Sequence, residues 1–220
     1  MLRFARWQIW LGWLVGFPIL MWTITGLVMI VRPIEDVRGD ELQKQAPAIE
    51  LGRYALPDFD EAVNEVRLVQ QPSGPVWVVT TTDGGDYRYD ARSGAVLPPV
   101  IASEARKLSE WFYAGTAMLE TVDYIPADEV PLELRRPLNA WRLHYSDGTN
   151  LYLEAATGEL LAVRTGWWRV YDFAWGLHIM DLQTREDSHH PVIVVFAALS
   201  TFGALLGCIL LFRRRKAKIS

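Results

Sequence analysis

The sequence predicts an α+β chain, a tandem pair of helix-plus-antiparallel-meander units outside the cytoplasm, anchored by two transmembrane helices. Three observations predict it: two long uncharged stretches near the ends, an internal repeat with paired turn glycines, and alternating apolar residues within each copy.

The elements follow in chain order. Residues 1–6 carry Arg3 and Arg6 and are expected in the cytoplasm. Residues 7–31 hold no charge over 25 positions, about 37 Å as a helix and enough to cross a bilayer with some tilt. The stretch is longer than a signal-peptide core and no A-x-A site follows it directly, so it reads as a retained anchor. Residues 191–212 form the second span, about 33 Å long by the same rise. The basic tail, residues 213–220, contains Arg213, Arg214, Arg215, Lys216 and Lys218. Basic flanks stay on the cytoplasmic side, which puts both ends inside and residues 32–190 outside. Setting those seven terminal cations aside turns the net charge of −4 into −11 for the remainder. Such an acidic domain is not expected to take nucleic acid or anionic headgroups as its main partner; the expected partners of the chain are the bilayer, through its two spans, and another membrane protein or complex. The single cysteine, Cys208, lies in the second span, so the external part uses neither disulfide nor thiolate metal site.

Between the spans, residues 32–56 read as a polar linker or loosely packed collar and residues 57–163 as the folded domain. DFDEAVNEVR, with Asp58 as cap and Phe59, Ala62, Val63 and Val66 at helical spacing, predicts a short helix whose Asp58, Asp60, Glu61 and Glu65 face solvent. Sliding the chain by 64 residues lays residues 76–97 over 140–161 without a gap. Trp77, Asp83, Gly84, Ala91, Gly94 and Leu97 fall on Trp141, Asp147, Gly148, Ala155, Gly158 and Leu161. Each copy reads as a strand, an Asp-Gly turn, a returning strand and a Ser/Thr-Gly turn into a third strand. The second copy is preceded by a helix expected over residues 103–119, with Leu108, Trp111, Phe112 and Met118 on its apolar face. Residues 164–182 predict an amphipathic interfacial helix, with Trp168, Tyr171, Trp175, His178 and Leu182 on one stripe and Arg169 and Asp172 opposite. Residues 183–190 are a loop.

The run WRLHYSDGTNLYLEAATGELLAV, followed by WWRVYDFAWGLHIMD, HHP and a span, resembles the PepSY family in its membrane-anchored form. WQIWLGWLVGFPILMWTITGLVM with PIEDVRG is similar to that family's first span. The resemblance implies a bacterial inner-membrane protein with a periplasmic α+β module. It leaves the activity open, since PepSY modules occur as protease pro-segment inhibitors, as anchored domains and in haem-containing ferric reductases.

No nucleophile elbow, HExxH, phosphate loop or dinucleotide fingerprint occurs, so no catalytic residue is assigned and the expected mode of action is binding, as an accessory or regulatory subunit. His144 reads as a sheet-face histidine. His178 and His190 are the candidate cofactor residues: they either hold haem b axially between helices, or hydrogen-bond at the interface and cap the second span, His190 standing just before Pro191. Gln8 stands where related first spans often carry histidine, which counts against a haem at the cytoplasmic face, and no cofactor is the first expectation. A metal held by His178, Asp181, His189 and His190 lacks tight ligand spacing and is not assigned. Gly12 with Gly16 and Gly203 with Gly207 form two G-x-x-x-G motifs, which let a helix approach closely; they serve either the chain's own two spans or a partner.

Overall fold

The computed structural model describes residues 2–59 and 62–217, leaving Asp60, Glu61 and Lys218 outside the described residues. In chain order the elements are α1 (Leu2–Ile30), α2 (Ile34–Arg38), β1 (Val63–Gln71), β2 (Gly74–Thr81), β3 (Asp86–Asp90), β4 (Val96–Leu97), α3 (Ala102–Phe112), β5 (Leu119–Ile125), β6 (Ala140–Tyr145), β7 (Asn150–Glu154), β8 (Leu160–Arg164), α4 (Gly166–His178) and α5 (Pro191–Ala217). The chain divides into two compact units, Ile34–Arg169 and a second formed by Met1–Pro33 with Val170–Ser220.

The Ile34–Arg169 unit is α+β, with two four-stranded antiparallel meanders of order β1-β2-β3-β4 and β5-β6-β7-β8. Residues 76–97 and 140–161 fold alike, with matching backbone bonds at both turns, although the last pairing of the second copy carries an irregularity at Tyr152/Leu153 that the first lacks. Thr81 N–H donates to Gly85 O and Tyr145 N–H to Thr149 O, both at 2.9 Å. Asp90 N–H donates to Ala95 O and Glu154 N–H to Glu159 O, again both at 2.9 Å. The Asp-Gly turns are three-residue loops in which only the glycine, Gly84 at φ 87° and Gly148 at φ 80°, is left-handed. The aspartate contributes differently, its carboxylate accepting the N–H of Gly85 or Thr149 two residues on.

The duplication extends to a strand that the 64-residue offset does not align. Val63 pairs with Thr81 and Leu119 with Tyr145, each followed by the same irregularity before Glu65 or Thr121. Those first strands are 56 residues apart, because Pro72 and Ser73 alone join β1 to β2 whereas residues 126–139 join β5 to β6. The helix expected from DFDEAVNEVR is therefore a strand from Val63 onward. Pairing along the whole of β2, and a side-chain set rich in valine, outweigh the apolar spacing that mimics a helix turn.

The second sheet carries the larger core, with Leu108 of α3 packed among Leu143, Leu151, Leu153 and Val163. α3 stops at Phe112 rather than running to 119, because Tyr113 turns extended and forms a bridge with Gln43. That bridge also corrects the linker. Residues 34–44, expected to be loose, fold onto the second sheet: Val37 is buried, Leu42 joins the core, and Lys44 N–H donates to Phe112 O at 2.8 Å. On the first sheet Trp77, Val79 and Ala91 form a core covered by Tyr54 and Phe59 rather than by a helix. Each copy uses its tryptophan as a tether, Trp77 Nε1–H to Ala55 O (3.1 Å) and Trp141 Nε1–H to Val100 O (2.8 Å).

Several polar contacts link the sheets, among them two bonds from Arg67 on β1 to Glu159 in the β7–β8 turn at 2.9 and 2.8 Å. Gln71 of β1 donates to Thr157 O at 2.7 Å, and the β7–β8 turn glycine, Gly158, is packed between Leu108, Val100 and Gln71. Arg88 of β3 reaches α3, where its guanidinium meets Glu104 at 2.7 and 2.8 Å and donates to Pro98 O.

In the other unit α1 and α5 pack against each other, Val15 of α1 being buried beside Gly203 of α5. Gly12–Ile30 and Pro191–Ile209 are each long and apolar enough to cross a membrane.

Candidate functional site

The C-terminal half of α4 and the turn after it collect most residues that the sequence singles out. α4 ends at His178 because Met180 adopts φ 57°, with Asp181 N–H donating to Gly176 O (3.0 Å) and Met180 N–H to Leu177 O (3.2 Å), a left-handed helix stop. The expected stripe is thus cut before Leu182. Its polarity is also different from the expectation: Asp172, predicted on the solvent side, is buried and paired with Arg185 Nη1 at 2.5 Å, whereas Val170 and Phe173 are exposed. Arg185 folds back because Trp175 Nε1–H donates to its carbonyl at 3.0 Å and its aliphatic stem lies over Gly176.

Asp181 fastens the following turn. Its carboxylate accepts the N–H groups of Gln183 and Thr184 (both 3.1 Å) and of Glu186 and Asp187 (both 3.3 Å), as well as the Thr184 hydroxyl. These bonds, the hydroxyl first, hold the Asp181 carboxyl well below the usual carboxylate range. Asp181 is thereby committed to shaping the chain.

His178 meets α1. Its Nδ1 lies 3.0 Å from Thr25 Oγ1, and Thr25 donates its own proton to Met21 O at 2.9 Å. When the hydroxyl donates to that carbonyl it accepts from the ring, in the tautomer that carries its hydrogen on Nδ1 and keeps the lone pair on Nε2. Gly26 makes room for the ring, since a Cβ there would stand 3.7 Å from His178 Cε1. Sequence reasoning missed both Thr25 and Gly26; a threonine inside an apolar helix is ordinarily satisfied by its own turn, and only the pairing of helices shows its second use.

His190 is at the start of α5, where its carbonyl accepts Ile193 N–H (3.1 Å) and its Nδ1 accepts Val192 N–H (3.4 Å). That is a helix cap, and it places the ring proton on Nε2. His144 Nδ1 lies 2.6 Å from Asn150 Oδ1 on the second sheet. Among the described residues no group of three or more His, Cys, Asp or Glu side chains could hold a metal ion.

The glycine motifs separate. Gly203 faces Val15 of α1, whereas Gly12, Gly16 and Gly207 would each meet nothing within 4 Å if given a Cβ. An apolar hollow of about 290 Å³ in this unit is lined by Phe17, Pro18 and Met21 of α1, Leu177 and Met180 near the end of α4, and Val192 and Phe196 of α5.

The duplicated unit holds a second concentration of polar groups. A cleft of about 280 Å³ contains Arg67, Thr80, Asp86, Arg136, Glu154 and Glu159. None of them is singled out by the sequence, in which they are scattered over 93 positions and belong to no motif. The chain matches no family model, no curated protein and no solved structure.

Proposed function

We propose that this is a two-pass protein of a bacterial inner membrane whose duplicated PepSY-like module stands in the periplasm and acts by binding, as an accessory or regulatory subunit of a membrane or envelope assembly. The observation that carries this reading is a duplicated antiparallel module enclosed in sequence between two apolar helices, each with basic residues at its outer end. Basic flanks outside both helices favour cytoplasmic termini. A reporter pair tests the orientation: a cytoplasm-dependent reporter fused after Ser220 is active and a periplasm-dependent one is silent. The opposite pattern removes the proposal. Purification in mild detergent then recovers the module with a defined partner at constant ratio; a lone chain under all conditions counts against a subunit role.

The hydrogen bond at His178 favours a second reading, a b-type haem component. A hydrogen bond from Nδ1–H to Thr25 orients Nε2 as a ligand, as the bond on the far ring nitrogen does in metal-binding imidazoles. His178 fits such a group. His190 does not fit as the opposite ligand in its present form, because its free lone pair caps α5. Haem, when bound, supplies one-electron chemistry; the chain's own part is to orient the His178 ring through Thr25. If this reading holds, protein from haem-replete cells shows a Soret band that shifts on dithionite reduction, and His178→Ala abolishes it while Thr25→Val weakens it. A colourless wild-type preparation ends it.

A further inference from the structure

One face of the first sheet is left open where the same face of the second is filled. A hollow of about 370 Å³ lies on the first sheet, lined by Val79, Thr81, Tyr87 and Tyr89. Their counterparts 64 residues on are Leu143, Tyr145, Leu151 and Leu153, all buried in the core that Leu108 of α3 completes. Val63 lines the hollow too, and Leu119, which holds the same register in the second copy, packs against that core. The turn glycines agree: Leu108 presses on Gly158, whereas Gly94, at the edge of the hollow, has open space where a Cβ would stand.

Exposure measures the difference. Tyr87 is 43 % exposed and its counterpart Leu151 only 1 %. Val96 is 63 % exposed, while its counterpart Leu160 packs against the second core. Tyr54 and Phe59 cover part of the open face, Phe59 standing edge-on to Tyr89 with ring centres 5.6 Å apart. Apolar and aromatic side chains left in water around a hollow mark a contact surface.

The second copy shows what fits such a face. There α3 lays Ala105, Leu108 and Phe112 on the sheet, positions i, i+3 and i+7 of an amphipathic helix. The first copy differs in charge and in aromatic content. Among the described residues the lining carries one charged side chain, Asp58, which is exposed. Tyr87 and Tyr89 put rings where the second copy has leucines. A carboxylate and ring faces both favour a cation on the incoming helix. A second copy of the chain has no helix of its module to lend, because α2 and α3 are both packed on the second sheet.

We propose that the open face of the first sheet is the docking site for a basic amphipathic helix of a partner protein, which completes the first copy as α3 completes the second. This names the partner's chemistry for the binding role proposed above, and it rests on that reading. Apolar residues at i, i+3 and i+7 enter the hollow, one of them over Gly94 as Leu108 lies over Gly158, and a lysine or arginine beside them meets Asp58.

The test is site-specific photocrosslinking of the full chain in its own host cells. Benzoylphenylalanine takes the place of Tyr87 or Val96, one at a time, and of Met118 as a control on the second copy, where the side chain is 76 % exposed. Mass spectrometry of the linked peptides finds one segment of one other protein, with apolar residues at i, i+3 and i+7 and Lys or Arg beside them, from positions 87 and 96 and not from 118. Val96→Arg and Asp58→Lys, both at exposed positions, each lower the yield from position 87 on the order of tenfold, as the loss of one central contact does. Both unfold at the wild-type urea concentration, which separates lost docking from lost folding. Links to lipid, to a second copy, to residues 45–59 of the same chain or to a segment without the helical pattern overturn the site, as does the absence of any link. A partner that co-purifies at constant ratio yet links to neither 87 nor 96 keeps the subunit role and removes this face; a chain with no partner by either method removes both.

Discussion

Gly158→Ala unfolds at a markedly lower denaturant concentration than wild type, whereas the equivalent substitution Gly94→Ala costs far less. Both glycines close the same turn in their copies, at φ 76° and φ 72°, so both alanines bear left-handed strain of about 1 kcal/mol. Only Gly158 is packed. A Cβ there would stand 2.7 Å from Leu108 Cδ1, 3.1 Å from Val100 Cγ2 and 3.3 Å from Gln71 Nε2, while a Cβ on Gly94 meets nothing within 4 Å. Leu108 is itself enclosed in the core and cannot swing away without displacing Leu151 or Val163. Overpacking of this kind adds roughly 1–3 kcal/mol, which gives about 2–4 kcal/mol for Gly158→Ala. Urea titration of the full chain in detergent, followed by tryptophan fluorescence, measures both. Equal losses at the two sites would mean that the joint between the sheets yields freely.

Glu104→Ala is expected to cost about 3 kcal/mol, more than Arg88→Met. The two side chains are unequally buried, Arg88 being 2 % exposed and Glu104 33 %. Removing the carboxylate leaves a guanidinium enclosed, with Pro98 O at 2.8 and 3.0 Å and Gln71 Oε1 at 3.4 Å as its remaining acceptors. An uncompensated buried charge of this sort costs about 3–5 kcal/mol, and the remaining acceptors set it at the low end. Removing the arginine instead leaves a carboxylate that can rehydrate at the surface. The double variant Arg88→Met/Glu104→Ala is accordingly more stable than Glu104→Ala alone, the sign of coupling that a double-mutant cycle reports. If Glu104→Ala were as stable as wild type, the pair would carry no part of the joint between β3 and α3.

Much of the fold is legible in the residues, because its signals are local. Gly84 and Gly148 mark positions where the backbone must turn left-handed, and they identify the hairpins wherever the sheets go. The two apolar helices are legible for the same reason, since length and absence of charge are properties of a single segment. β1 is not: Val63 and Val66 lie at helical spacing as well as on a strand, and only pairing with Val79 and Thr81 of β2 decides between them. His190 as a helix cap is readable from the proline after it, whereas the acceptor of His178, Thr25, is 153 positions away.

The sequence by itself determined the duplication, the turn positions and the two apolar helices, each of which depends on backbone preference or hydropathy within a few residues. Tertiary structure alone decided what the copies do differently: Asp90 is half-buried while its counterpart Glu154 is buried, and Gly94 is open while Gly158 is packed. The physical reason is that burial and electrostatic environment belong to the space between elements, and the chain that folds around a residue is written far from it.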